Sequence, residues 1–179
     1  MSVESTVIDD LMKARFPDNI FSSCVLNEKD KTYIVEVEPA MLKDTIKFMK
    51  ENETLNCNFL TDLCGVHYPD NEKSRQFAVV YLLHNWIENI HIRVKVYLDG
   101  AKPEIPTVTD IFAAANWMER ETFDFYGVIF LGHPNLKRIL NDEGMVSFPM
   151  RKNFPMEDSG RTDKDDRFFG RTPNNYEPN

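Results

Sequence analysis

Nowhere does this sequence hold an apolar run near the roughly 20 residues a membrane-spanning helix needs. It is also poor in cysteine. Cys24, Cys57 and Cys64 are the whole complement, and no two stand in a C-x-x-C spacing. Three thiols cannot bind a four-thiolate cluster, so the expectation is three buried, reduced cysteines. Glycine is scarce too, with 7 in 179 residues. None falls in a G-x-G-x-x-G turn or a Walker lysine loop, which argues against direct binding of NADH or ATP. No G-x-S-x-G elbow is present for nucleophilic catalysis. Basic residues are outnumbered, 21 Lys and Arg against 29 Asp and Glu, for a net charge of −8. Nucleic acid and anionic lipid both select the opposite balance. The start, Met1-Ser-Val-Glu-Ser-Thr, lacks a basic n-region, an apolar signal core and transit-peptide arginines. The expectation is a chain that stays in the compartment where it is made.

What is present suits a folded domain. Hydrophobic residues make up 42% of the chain, enough for a core. Val7, Ile8, Leu11 and Met12 recur at helical spacing before Pro17. Residues 20–26 and 32–38 read as strands around a polar turn. Pro39 opens a second helix with Leu42, Ile46 and Met49 on one face. Leu55–Leu63 reads as a strand, and the all-apolar Phe77–Leu83 as a central strand covered on both faces. Ile90, Ile92, Val94, Val96 and Leu98 alternate with polar residues, as in a one-sided antiparallel strand. Thr107 or Thr109 is placed to cap a third helix, with Ile111, Ala115, Met118, Thr122 and Phe125 facing inward. Gly127 closes that helix. Elements mix without strict βαβ repetition, so the fold class is α+β with a mostly antiparallel sheet, packed helices and an extended C-terminal tail.

The densest information lies between Glu119 and Pro155. Glu119, Arg120, Glu121 and Asp124 stand among Trp117, Phe123, Phe125 and Tyr126. Such mixing of rings and charges suits a packed contact with another protein. Glu119 and Glu121 point about 200° apart on a helix and do not converge on a substrate. An intrahelical Arg120–Asp124 ion pair is the purely structural alternative. His133, between Gly132 and Pro134, reads as a turn residue rather than a proton donor. His84 and His91 could meet across a hairpin, without a carboxylate to complete a metal site. The Asp163–Asp166 run lacks the glycine and glutamate of a calcium loop. Acids and bases balance after His133, so the whole negative excess falls in residues 1–133. The chain divides into an α+β globular domain over residues 1–132, a docking segment 133–155 and an extended partner-binding tail 156–179. Phe168, Phe169 and Tyr176 would be pegs on that tail, which has too few aliphatic residues to build its own core.

At these residues the chain resembles the 30 kDa C subunit of the proton-pumping NADH:quinone oxidoreductase, respiratory complex I. Glu119–Gly127 follows that family's Glu-Arg-Glu signature through its aspartate, aromatic pair and glycine. Phe130–Leu140 follows its Gly-His-Pro block, with Lys137 where arginine is usual. Pro149–Pro155 follows a Pro-Leu-Arg-Lys-Asp-Phe-Pro block, with Met150 and Asn153 substituted. The resemblance implies a non-catalytic subunit of the peripheral arm, on the cytoplasmic side of the cell membrane. It implies no flavin or iron–sulfur cluster in this chain, FMN and clusters being held by partner subunits. It implies docking on the D and B subunits through Glu119, Arg120, Glu121, Asp124, Tyr126, His133, Lys137, Arg138, Arg151, Lys152 and Phe154 together with the tail pegs. Related scaffolds in membrane-bound hydrogenases and F420-type dehydrogenases are the alternative. A stand-alone hydrolase using Glu119, Glu121 or His133 is the reading furthest from the residues.

Overall fold

Residues 5–15, 21–27 and 32–154 are described by the computed structural model. Five strands, β1 (Phe21–Asn27), β2 (Thr32–Val37), β3 (Phe59–His67), β4 (Phe77–Asn85) and β5 (Ile90–Leu98), make one sheet. Their order is β1-β2-β5-β4-β3. The β1/β2, β3/β4 and β4/β5 pairings are antiparallel, and β2/β5 is parallel. A parallel pair needs a long connection, and here it runs through α2 (Leu42–Glu51), β3 and β4. The fold is therefore α+β with a mainly antiparallel sheet, as the sequence indicates.

The core lies on one face of that sheet. Ile92, Val94 and Val96 of β5 are fully buried, while Arg93, Lys95 and Tyr97 between them are half-buried. Ile8 of α1 (Ser5–Arg15), Leu42, Ile46 and Met49 of α2, and Ala115 of α3 (Ala115–Tyr126) join the same apolar cluster. Each large aliphatic side chain so buried contributes about 1.5–3 kcal/mol.

Two expectations need correction. The third strand begins at Phe59 rather than Leu55. Asn52 Oδ1 accepts from the backbone N–H groups of Thr54 and Leu55, and Asn56 takes a φ of 39°, which makes a turn. Leu55 and Cys57 reach the core from that turn. β4, by contrast, is buried on both faces as the sequence indicates: Val79, Tyr81 and Leu83 enter the core cluster, and Ala78 and Val80, in register with Tyr97 and Lys95 of β5, are buried on the other side. Second, α3 starts at Ala115. Residues 108–116 make successive tight turns, with Ile111 and Phe112 both donating to the Val108 carbonyl, and Thr107 serves another purpose described below.

The helix is bracketed by β6 (Glu104–Pro106) and β7 (Ile129–Leu131), which pair in parallel. Gly127 ends it at φ 73°, its N–H donating to the Phe123 carbonyl at 2.8 Å. This left-handed closure is the one the sequence indicates. The helix is drawn close to β3 at Gly65. A Cβ there would lie 2.8 Å from Thr122 Cγ2 and 2.8 Å from the Tyr126 ring. Overpacking of this kind costs about 1–3 kcal/mol. Gly65→Val should therefore lower the urea midpoint of unfolding by the equivalent of about 2 kcal/mol at an unchanged m-value. An unmoved midpoint would mean that α3 does not press on the sheet.

Candidate functional site

The charged residues of α3 separate into two groups. Glu119 and Asp124 are fully buried, Arg120 and Tyr126 are half-buried, and Glu121 is exposed. Asp124 is the hub of the segment after β7. Its Oδ2 accepts from three successive backbone N–H groups, those of Ile139 at 3.1 Å, Leu140 at 2.8 Å and Asn141 at 3.0 Å. Its Oδ1 accepts from Asn141 Nδ2 at 3.1 Å and from Arg138 Nη1 at 2.8 Å. Arg138 Nη1 also donates to the Asp124 carbonyl, and its Nη2 to the carbonyls of Met145 and Ser147. Burial alone would raise the Asp124 pKa. The donors from Asn141, Leu140, Arg138 and Ile139 outweigh it and hold the carboxyl well below the usual carboxylate range.

The anticipated Arg120–Asp124 ion pair does not form, because Asp124 is saturated from the other side. Arg120 instead donates to the carbonyls of Lys137 and Arg138, with its guanidinium 4.7 Å from the Trp117 ring. Arg151 follows the same pattern. Its Nε donates to the Tyr126 carbonyl at 2.8 Å, and its guanidinium lies against Phe77 and Phe148. Burial pulls its pKa down. The Lys152 backbone N–H donates to His67 Nδ1 at 3.0 Å. Residues 133–154 are thus tied repeatedly to α3 and to the sheet edge.

Glu119 faces the opposite way, toward the chain before the helix. Its Oε2 accepts from Thr107 Oγ1 at 2.5 Å and its Oε1 from the Val108 N–H at 2.8 Å. His133 Nε2 lies 4.0 Å from the carboxylate and 3.2 Å from the Asn116 carbonyl, to which it donates. His133 Nδ1 accepts the Asn135 N–H. So His133 is a turn residue with both ring nitrogens engaged, and Glu119, walled off, cannot touch a substrate. Burial pushes the Glu119 pKa up to about 7.

The exposed surface of this region carries large apolar side chains among its charges. Trp117 (61% exposed), Leu131, Leu140, Val146 (95%), Met150 and Phe154 all show large apolar area to solvent. Glu121, Lys137 and Lys152 are exposed beside them in sequence. A shallow groove of about 240 Å³ runs between β3 and α3, lined in part by Asp62, Cys64, Glu121, Tyr126 and Met150. Cys64 is exposed there, against the expectation of a buried thiol, because its side chain faces away from the core. Cys57 is buried as expected, and burial pushes its thiol up to about 12. The side chain of Cys24 lies outside the described residues, as do Phe168, Phe169 and Tyr176. Sequence reasoning does not single out Trp117, Leu140 and Val146 as surface anchors, nor Thr107 as a partner of Glu119. An apolar residue amid turn residues is the only available signal for the first group. His84 and His91 do stack, ring centroids 4.0 Å apart, and both bond Asn89 Oδ1. Among the described residues no group of three or more His, Cys, Asp or Glu is placed to hold a metal. None of the described helices is long and apolar enough to cross a membrane.

Residues 35–160 match the family described as respiratory-chain NADH dehydrogenase, 30 Kd subunit. The chain belongs to this family. The C 2 subunit of NADH-quinone oxidoreductase from Rhizobium etli (strain CIAT 652) is 37% identical over 179 residues, covering 99% of this chain and 91% of that protein. The trypsin-resistant fragment (1–134) of Nqo5 superposes with a TM-score of 0.58 at 29% identity, covering 73% of this chain and 97% of the fragment. A chain of the membrane-bound sulfane sulfur reductase, an archaeal respiratory membrane complex, superposes with a TM-score of 0.68 at 28% identity, covering 84% of this chain and 85% of that one. These likenesses make the chain a subunit of a multi-subunit respiratory oxidoreductase.

Asp124 gives a test of the architecture. Removing one partner of a buried pair costs about 3–5 kcal/mol, so Asp124→Asn should lose about 3 kcal/mol at pH 7. The folded carboxyl sits below its unfolded value, so its contribution is complete above about pH 4 and fades as pH falls further. Urea midpoints from pH 7 to pH 3 should show the gap between wild type and variant narrowing at the acid end. A constant gap would mean that the carboxylate charge is not what matters.

Proposed function

We propose that this chain is a non-catalytic structural subunit of the peripheral arm of a proton-translocating NADH:quinone oxidoreductase. It holds the D and B subunits in register for electron transfer from NADH to quinone, on the cytoplasmic side of the membrane. FMN and iron–sulfur clusters belong to partner subunits. The observation that carries this reading is the set of exposed large apolar side chains Trp117, Leu131, Leu140, Val146, Met150 and Phe154 between residues 117 and 154, with Leu140 and Val146 on a segment fixed by Asp124 and Arg138. Gathered into one patch, they would suit a protein partner. Glu121, Lys137 and Lys152 would supply polar contacts at the rim of such an interface. Residues beyond 154 would extend the contact over the D subunit. The naming of relatives as C subunits of NADH-quinone oxidoreductase favours the NADH-linked assembly over hydrogenase or F420-linked ones.

Co-purification tests it. Exposed substitutions away from special features shift stability by no more than about 0.5 kcal/mol, whereas truncating an aromatic hot spot costs at least about 2 kcal/mol of binding. The double variant Trp117→Ala, Val146→Asp should keep the wild-type urea midpoint of the chain yet recover at least about tenfold less of the D and B subunits from co-expressing cells. Undiminished recovery would overturn the assignment of this surface. Stoichiometric flavin or iron in the purified chain would overturn the non-catalytic reading itself.

A further inference from the structure

Glu119 has a hydrogen-bonded arrangement available in each of two protonation states. As a carboxylate it accepts from Thr107 Oγ1 and from the Val108 N–H. Thr107 Oγ1 in turn lies 2.9 Å from Thr109 Oγ1 and accepts the Thr109 N–H at 3.2 Å. Protonated, the Glu119 hydroxyl can donate to Thr107 Oγ1, whose own hydrogen turns to Thr109 Oγ1. The row of hydroxyls reverses direction without moving a heavy atom, and the Val108 N–H keeps its acceptor.

The charged state has little else to support it. His133 is the nearest titratable ring, but its Nε2 hydrogen serves the Asn116 carbonyl and its Nδ1 takes the Asn135 N–H, so it offers the carboxylate no hydrogen bond. Lys43 of α2 is engaged with Asp110 at 2.7 Å, and Asp110 on the same loop is a further negative charge facing Glu119. From β4, Tyr81 presents a buried hydroxyl that makes no hydrogen bond and cannot neutralise a charge. A carboxylate here is a buried charge held by neutral donors alone, which is unfavourable relative to its neutral form.

We propose that Glu119 is a proton-operated latch: a proton on its carboxyl locks residues 107–109 onto α3, and its loss loosens that loop. The loop joins β6 to the turns that open α3, and it also carries Asp110, the partner of Lys43 on α2. Loosening it therefore weakens the ties of the start of the helix to α2 and to its own second turn. This inference concerns the chain alone and stands whether or not α3 docks on a partner.

The sign follows from proton linkage. Between the ordinary glutamate value near 4.5 and the closed value of about 7, the closed state binds more protons than one in which Glu119 meets water, so closure weakens as pH rises through that window and is constant above it. Two measurements on the full chain test this. Carboxyl ¹³C NMR should show Glu119 titrating near neutrality. The Val108 amide, corrected for intrinsic exchange, should lose protection by up to about tenfold per pH unit between pH 5 and pH 7. Glu119→Gln keeps a donor for Thr107 and an acceptor for Val108, and its protection should be flat over the same range. Titration of Glu119 below pH 5 with the ordinary carboxylates would overturn the latch. So would identical Val108 profiles in wild type and Glu119→Gln. If the variant does not fold, a flat Val108 profile in wild type overturns it equally.

Discussion

A single buried carboxylate organises the region of this molecule that matters most. Residues 138–147 have almost no secondary structure, and their backbone groups need partners once they lie against a helix. Asp124 gathers three consecutive N–H groups on one oxygen and the Arg138 guanidinium on the other. Arg138 then donates from Nη2 to carbonyls of the same segment. Neither ion would be favourable alone at this depth, since desolvation of each costs several kcal/mol. Together both carboxylate oxygens and both terminal guanidinium nitrogens are hydrogen-bonded, which is the condition under which a buried pair is tolerated. The segment is thereby tied to the helix without having a helix's uniform outer face.

Two acids on one helix, only five residues apart, are driven in opposite directions by what surrounds them. Asp124 meets an arginine and a nest of N–H groups, and its charge is secured. Glu119 meets one hydroxyl and one N–H, with a histidine ring nitrogen 4.0 Å away, and its charge is resisted. Burial is common to both, so burial alone decides nothing. The number and charge of the donors set the sign. Sequence shows the acids but not their donors, because those donors come from 11 to 17 residues away.

That separation explains what the sequence reveals and what it hides. The alternation in Ile90–Leu98 marks a strand with one buried face because period and burial are both local properties. Gly127 marks the helix end for the same reason, since left-handed closure is a preference of one residue. The start of α3 is hidden because Thr107 looks like a cap by type, and only the fold shows it bonded to Glu119 one layer away. The inward stripe is obscured for a related reason. Apolar periodicity cannot count buried acids, so it draws Ile111 into a helix whose real inner face includes Glu119. The apolar spacing at Leu55 suggests a strand, yet Asn52 and Asn56 form a turn that still sends Leu55 and Cys57 into the core.

The charged motif that makes the family recognisable is therefore largely consumed inside the chain. Glu119, Asp124, Arg138 and Arg151 all reach intrachain partners, and among the described residues Arg120 meets carbonyls and a ring. Trp117, Leu140, Val146 and Met150 are left exposed. The division of labour is physically reasonable. Buried charge pairs lose strength if either member is mobile, so they suit an interior that must keep one shape, whereas apolar side chains contribute binding energy without directional demands. Under the proposed docking role, a subunit that holds neighbours at fixed distances gains from placing its directional interactions within and its non-directional ones outside. The signature would then specify the rigidity of the platform, and the apolar residues between its conspicuous charges what rests on it.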